Sequence, residues 1–383
     1  MKFRSVRRPT AVAAVMVLAS TLASCGDADA GGGGGTAGDS DLARYQEALE
    51  GWYEGTYKEP EGPTIKAPAD KDVWFVSVGL GIEYSVRSAD AAKNAASDLG
   101  WKVHVFDAKF DPNQMLTGIQ QAVVAKADGI IVSVIDCAAV KNGAQQAADA
   151  GIPIVSIEGT DCDPGLYSHV VEYTGKSTFQ EATKAFGQAS ADWAIATTEG
   201  KAKAILNTGQ DNDTVRLAGE GQRDAFEGCP TCEILDDVTW VSADMGPALQ
   251  EKIQQAFVKH PDANTFLPAF DAIMTQSGGT QALTATGRLD QLTVGGGEGT
   301  IAGIEQIQSG KGMQMCAGQS VEWETYSAYD ALARIFVGED PSAVDSGNGI
   351  QVCDKDHNLP PKGEPYTPPV DFVTAYQKLW GKG

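Results

Sequence analysis

From residue 73 the chain alternates short, near-continuous apolar runs with longer stretches in which apolar residues recur every three or four positions. The runs predict strands over 73–78, 102–106, 129–134 and 152–157, and the periodic stretches predict helices over 88–99, 114–126 and 138–150. Strands without polar alternation belong to sheets covered on both faces, and their alternation with helices marks a parallel sheet. The pattern then restarts. Strands over 202–206, 233–238, 264–267 and 292–295 alternate with helices over 215–226, 245–259, 273–285 and 301–309, and a long helix over 178–196 joins the two series. The fold class is therefore α/β, with two doubly wound parallel-sheet lobes. The roughly 310 residues from Asp72 onward also exceed what one hydrophobic core usually serves. Such sheets bind ligands at the carboxyl ends of their strands. The loops after Val78, Ile135, Ile157, Asn207, Leu267 and Gly295, and the one near Gly318, are thus expected to frame a cleft.

The first 70 residues are patterned differently. Lys2, Arg4, Arg7 and Arg8 precede an apolar run over 11–23, the layout of a secretory signal. That run is too short for a bilayer span, which needs about 20 residues. Leu22-Ala23-Ser24-Cys25 looks like a lipobox, so 1–24 is expected to be removed and Cys25 acylated, anchoring the protein to the outer face of the cell membrane. Residues 25–70 read as a flexible tether, rich in glycine at 31–35, followed by one amphipathic helix carrying Leu42, Tyr45, Leu49, Trp52 and Tyr53. The Pro-rich stretch 60–68 ends that helix.

Charge and cysteines narrow the function classes. The formal net charge is −22, and loss of the four basic residues of the leader would leave about −26. Nucleic acid and anionic headgroups both repel such a chain, which excludes a DNA-binding role. Besides Cys25, six cysteines remain: Cys137, Cys162, Cys229, Cys232, Cys316 and Cys353. An even number in an exported protein suggests three disulfides, with 15 pairings open. Cys229-Pro-Thr-Cys232 follows a helical stretch and precedes a strand, the reverse of a thioredoxin motif, and no second cysteine pair completes a zinc site. A structural clip across a turn is the better reading.

The expected cleft loops carry acids, aromatics, an amide and one arginine. Gly81-Ile82-Glu83-Tyr84 follows the first strand, Asp136 the third, and Glu158 and Asp161 the fourth; Glu172-Tyr173 precedes the joining helix. The second series adds Asp211, Asp213, Arg216, Phe270, Asp271 and Glu298, and Gln319 and Trp323 follow a short strand over 313–317. Carboxylates accept strong hydrogen bonds from hydroxyls, arginine donates a rigid fork, and aromatic rings cover the C–H faces of a sugar. Taken singly, each has another use. Asp136, Asp271 and Glu298 stand where a helix cap would, Arg216 also fits a helix surface, and Trp240 fits a lobe core as well as the cleft.

Several local patterns resemble the type 1 periplasmic sugar-binding proteins of ABC transporters, the ribose-binding-like group, over about 70–380. They are Ala127-Asp128-Gly129-Ile130-Ile131-Val132 leading to Asp136, Ala150-Gly151-Ile152-Pro153-Ile154-Val155, Arg216-Leu217-Ala218-Gly219-Glu220-Gly221 and Tyr329-Asp330-Ala331-Leu332. The resemblance implies lobes of 71–173 plus 320–346 and 174–318 plus 350–383. A three-strand hinge would cross near Tyr173-Thr174, Gly318-Gln319 and 347–352. It implies Asp136, Arg216, Glu298 and Gln319 as ligand residues, to which the cleft loops add Glu83, Tyr84, Phe270 and Asp271 as expected site residues, and it implies disulfides 137–162, 229–232 and 316–353. Where the family often has Asn-Asp, this chain has Phe270-Asp271, and its first loop lacks the usual Asn/Pro/Phe character, so ribose itself is not implied. The implied role is capture of a monosaccharide or related polyol for a membrane permease by a monomer, with no cofactor or metal. A sensor lipoprotein, or the same fold holding a nucleoside, amino acid or signalling furanone, is the alternative.

Enzymes fit less well. Gly297-Glu298-Gly299-Thr300-Ile301-Ala302 is a relaxed dinucleotide pattern, but it lies deep in the second series with an acid nearest the pyrophosphate position. No G-x-S-x-G, Walker loop or H-E-x-x-H occurs, and the four histidines are scattered.

Overall fold

A computed structural model describes residues 37–382. The leader, Cys25 and the glycine run lie outside the described residues. After α1 (Ala37–Glu54), the first lobe is built from β1 (Asp72–Ser77), α2 (Glu83–Leu99), β2 (Lys102–Asp107), α3 (Pro112–Ala125), β3 (Gly129–Ser133), α4 (Cys137–Asp149), β4 (Ile154–Ile157) and β5 (His169–Val170). The second lobe follows with α5 (Phe179–Thr197), β6 (Lys203–Gly209), α6 (Asp213–Glu227), β7 (Glu233–Trp240), α7 (Pro247–Lys259) and β8 (Thr265–Leu267). It continues through α8 (Asp271–Thr275), α9 (Gly279–Ala285), β9 (Thr293–Val294) and α10 (Ile301–Ser309). The chain ends with β10 (Met315–Gly318), α11 (Val321–Val337), β11 (Gln351–Asp354) and α12 (Phe372–Leu379).

Both lobes hold a parallel sheet, ordered β2-β1-β3-β4-β5 and β7-β6-β8-β9. Strand order reverses beside β1 and beside β6, which sets a switch point at the carboxyl edge of each sheet. All five residues of β3 are buried, because it has a strand on either side and helices on both faces. That burial is why its apolar run does not alternate. In the first lobe, Phe75, Leu99 and Leu332 fill the core under α2 and α11, and Val76, Ile119 and Ala144 the core under α3 and α4. In the second, Ile253, Phe257 and Phe266 pack under α7, while Trp193, Leu206 and Phe226 pack under α5 and α6.

The joining helix α5 begins with a capping box: Thr178 Oγ1 accepts from Glu181 N at 3.2 Å and Glu181 Oε2 accepts from Thr178 N at 2.8 Å. It crosses α6 at backbone contact. A Cβ on Gly187 would stand 1.9 Å from Ala218 O, and one on Gly221 2.0 Å from Lys184 O, so only glycine permits this approach. The helix predicted over 273–285 is two, α8 and α9. α8 ends at Thr275 with Gln276 as its cap, and Gly278, at φ +88° and against the Gln250 side chain, is the N-cap of α9.

One expectation for the chain ends is corrected. The 350–383 segment does not remain in the second lobe. Its last helix, α12, returns to the first, where Phe372 stacks on Trp323 at 4.9 Å and Trp380 Nε1 donates to Asp330 at 2.9 Å. Aromatic burial decides this, since Trp380 and Tyr376 complete the core beside α11. The amphipathic helix expected before the Pro-rich stretch is present as α1. α1 docks on the second lobe, with Tyr45 Oη donating to Ala225 O at 2.8 Å and Trp52 Nε1 to Asp192 at 2.9 Å. Beyond it Thr56 N donates to Ile350 O and Lys58 N to Gly347 O, both at 3.0 Å, and Ile65 N reaches Leu379 O at 2.8 Å. Residues 55–67 thus run as a strap from one lobe to the other.

β10 and β11 form an antiparallel ribbon with Cys316 opposite Cys353, and Thr174 N donates to Asn348 O at 2.8 Å beside it. The six cysteines in the described residues are bonded 137–162, 229–232 and 316–353. No helix among the described residues is long and apolar enough to cross a membrane.

Candidate functional site

A cavity of about 260 Å³ opens between the lobes at the carboxyl ends of both sheets. The first lobe contributes Tyr84 from the first turn of α2, Phe110 after β2, Asp136 after β3 and Glu158 after β4. From the second come Asn212 and Thr214 at the start of α6, Trp240 ending β7, Phe270 before α8 and Glu298 after β9. Gln319 enters from the end of the hinge strand β10.

Hydrogen bonds around the rim close the lobes on each other. Asp136 Oδ2 accepts from Asp213 N at 2.9 Å, Thr214 Oγ1 donates to Glu158 O at 2.9 Å, and Asn212 Nδ2 donates to Val134 O at 3.3 Å. Across the other side, Gln276 Nε2 donates to Gly81 O at 3.1 Å. The Cys137–Cys162 disulfide ties the start of α4 to the loop after β4, holding Asp136 beside Thr160, whose N and Oγ1 donate to it at 2.9 and 3.0 Å.

The floor of the cavity is acidic and buried. Tyr84 Oη donates to Glu324 at 2.8 Å, and Gln319 Nε2 donates to both Glu324 and Glu158. Burial and the Glu324 charge push the Glu158 carboxyl well above the usual range. Glu324 is pushed up to about 7 by burial, against the pull of Tyr84 and Gln319. Burial, with the charge of Asp271 behind it, pushes Glu298 up to about 8. Asp136 is raised as well, by burial, with the amides of Thr160 and Asp213 opposing.

Of the eight residues expected in the site, Tyr84, Asp136, Phe270, Glu298 and Gln319 line the cavity, and three do not. Arg216 is not among the lining residues; it is held by Asp213 Oδ1 at 2.6 Å and by Glu220 on its own helix. The helix-surface alternative describes it. Asp271 is 1 % exposed and faces its own lobe, where it accepts from Gly297 N, Gly299 N, Thr300 N and Thr300 Oγ1 at 2.6–3.1 Å. Four donors leave it nothing to offer a ligand. Glu83 points across the rim to the first turn of α10, accepting from Ile301 N at 2.6 Å and Ala302 N at 3.4 Å. An acid at a helix N-terminus is favoured by the unpaired amides and the dipole there, so Glu83 joins lobe to lobe instead of touching the cavity.

Sequence reasoning missed Glu324, which stands inside α11 on a buried face that also carries Asp330 and Arg334; an acid in a largely buried helix was its only signal. It also missed the apolar walls, Phe110, Met115, Phe186 and Met245, because the loop after an edge strand and the interior of a helix carry no polar marker. Trp240 belongs to the cavity, its Nε1 donating to Asn207 at 3.0 Å, and Trp323 to the first core. Among the described residues the one grouping with metal-ligand chemistry is Cys137, Asp161 and Cys162; its sulfurs are bonded to each other, and Asp161 accepts three backbone amides.

Residues 73–340 match the family described as periplasmic binding protein domain. The ribose import binding protein of Salmonella typhimurium is 24% identical over 253 residues, 65% of this chain and 79% of that protein. A glucose-galactose binding protein from Geobacillus stearothermophilus superposes with a TM-score of 0.65 at 21% identity, covering 77% of this chain and 100% of that one. An ABC transporter solute binding protein from Mycobacterium smegmatis, solved with bound glycerol, gives 0.64 at 18% identity, covering 78% and 100%.

Proposed function

The chain belongs to the periplasmic binding protein family, and on that premise we propose that it captures a monosaccharide or related polyol between its lobes and hands it to the permease of an ABC importer, without catalysis. The observation that carries this reading is the cavity of about 260 Å³, walled by loops from both lobes. It falls just below the roughly 300–1,000 Å³ of drug-sized pockets, which suits a small solute. Carboxyls and an amide at its floor pair with hydroxyls, and Trp240 and Phe270 offer faces to C–H groups. Hinge closure around a solute changes the surface offered to a partner, and a permease reads that change. The relatives point the same way by what their names say they bind. Anchoring through lipidated Cys25 would hold the protein beside that permease at the outer face of the membrane, and action as a monomer is part of this reading.

The test is thermal unfolding of the mature chain, produced without lipid and stripped of carried-over solute, against pentoses, hexoses, polyols, amino acids and nucleosides. A solute at 1,000 times its dissociation constant stabilises by about 4 kcal/mol. At roughly 2–4 °C per kcal/mol the midpoint should rise by several degrees. We expect a response to a sugar or polyol that Glu298→Ala abolishes. Silence from all of these with a response to an amino acid or nucleoside would overturn the carbohydrate assignment.

A further inference from the structure

The cavity has an unusual charge balance. Glu158 enters from the first lobe and Glu298 from the second, both buried, and among the described residues no lysine, arginine or histidine lines it. The other two lining acids are already engaged, Asp136 with Thr160 and Asp213 N and the exposed Asp211 with Ser242 N. The nearby cations stand outside the lining: Lys109 borders the adjoining depression that shares Ile82 and Phe110 with the cavity, and two arginines are paired with acids. Arg216 is held by Asp213 and Glu220, and Arg87, whose field reaches Glu298, is clasped by both oxygens of Glu322 at 2.7 and 2.9 Å. Glu298 is only 5 % exposed yet turns into the cavity, with Asp271 N donating to it at 3.1 Å from behind. Glu324 adds a further acid beneath the floor, bonded to Tyr84 and Gln319.

The walls are the second, independent observation. Tyr84, Phe110, Phe186, Trp240 and Phe270 all face the same space, with the Trp240 and Phe270 rings 6.1 Å apart and tilted at 46°. Aromatic faces present negative electrostatic potential and attract cations, more strongly when the site is dry. Converging carboxyls and aromatic faces with no internal cation form a site for positive charge. Resting on the reading that this cavity is the binding site, we propose that the captured solute carries a protonated amine, as an amino sugar or amino polyol does.

A neutral polyol would leave these buried acids to share protons among themselves. An ammonium group replaces those protons, since its charge favours the ionised form of each carboxyl it meets. Binding is then coupled to proton release near neutral pH, because Glu298 and Glu324 are raised to about 8 and about 7. The groups that face them are Asp271, Arg87, Glu158, Tyr84, Tyr173, Gln319 and Glu322.

The experiment is isothermal titration calorimetry of the stripped chain with matched pairs: D-glucosamine and D-glucose, D-galactosamine and D-galactose, and 1-amino-1-deoxy-D-glucitol and D-glucitol. Each is run at pH 6.5, where the free amines are charged and Glu298 and Glu324 still hold their protons, in two buffers of different ionisation enthalpy. We expect an amine to bind about 30-fold or more tighter than its neutral partner, the scale of one buried charge contact, with protons released. Glu298→Gln should remove most of that difference, and Glu158→Gln serves as the second variant if the first does not fold. Equal or tighter binding of a neutral partner, or silence from the amines while a neutral polyol binds, overturns the amine and leaves the cleft reading standing. Silence from every compound here and in the wider panel overturns both.

Discussion

Two parts of the molecule bury acids, and they treat them in opposite ways. In the first-lobe core, Asp330 lies on the buried face of α11, accepting from Arg334 Nε one turn on at 2.7 Å and from Trp380 Nε1 at 2.9 Å. Burial pushes the Asp330 carboxyl up, and the guanidinium beside it pulls it back. In the cleft, Glu158, Glu298 and Glu324 are buried as well, but their neighbours are tyrosines, a glutamine, Asp271 and other acids, and the one guanidinium whose field reaches Glu298, that of Arg87, is bonded to Glu322. Burial alone therefore does not mark a site. A buried acid neutralised from within serves the fold, while acids gathered around a cavity and left without a cation are set to meet something from outside.

The largest way to break this comparison is to remove the internal cation. Arg334→Ala leaves Asp330 buried and unpaired, and urea unfolding should show a loss of about 3–5 kcal/mol, with solute affinity of the folded fraction unchanged. Asp271→Ala comes next. Its carboxylate is satisfied within the second lobe, so losing the acceptor of those donors should cost about 2–4 kcal/mol by the same measurement. A loss of solute affinity without a loss of stability would instead return Asp271 to the site.

The cleft acids should respond to pH. Glu298 has a folded value of about 8 against an ordinary 4.5, so between those values the folded chain keeps a proton that the unfolded chain has lost. Stability of the solute-free protein is therefore expected to fall as pH rises from about 4.5 to about 8, and to level off above that. Glu298→Gln should flatten the fall and stabilise the protein at pH 8 by more than about 1 kcal/mol, since a tenfold change in proton affinity is worth about 1.4 kcal/mol. Thermal midpoints across that pH range check both. The smallest effect belongs to Arg216→Ala. Partly exposed and paired on the helix surface, Arg216 should contribute less than about 1 kcal/mol and change affinity less than threefold. A collapse of binding in that variant would make it a site residue after all.

These contrasts also separate what the sequence carries from what it does not. Strand runs such as 129–134 and the capped helix after Thr178 were legible because a strand covered on both faces is apolar throughout and a cap has its own residue types. The cleft loops were legible as places, through strand ends. Side-chain direction was not. Arg216 and Val215 are neighbours on α6, yet only Val215 reaches the cavity, a matter of helix rotation that no loop position reveals. Asp271 and Glu298 also looked alike as acids after strands. Only the three-dimensional turn over 297–300, whose amides converge on Asp271, tells the structural acid from the open one. The path of α12 depends on which core has room for Trp380, and that too is a property of the assembled lobe.

The most direct measurement is a crystal structure of the protein with the compound that raises its melting midpoint. The expected result is a single small molecule between Trp240 and Phe270, hydrogen-bonded to Glu158, Glu298 and Gln319, with Asp271 and Arg216 untouched. A ligand seated on Arg216 or Asp271, or bound outside the cavity, would contradict the account.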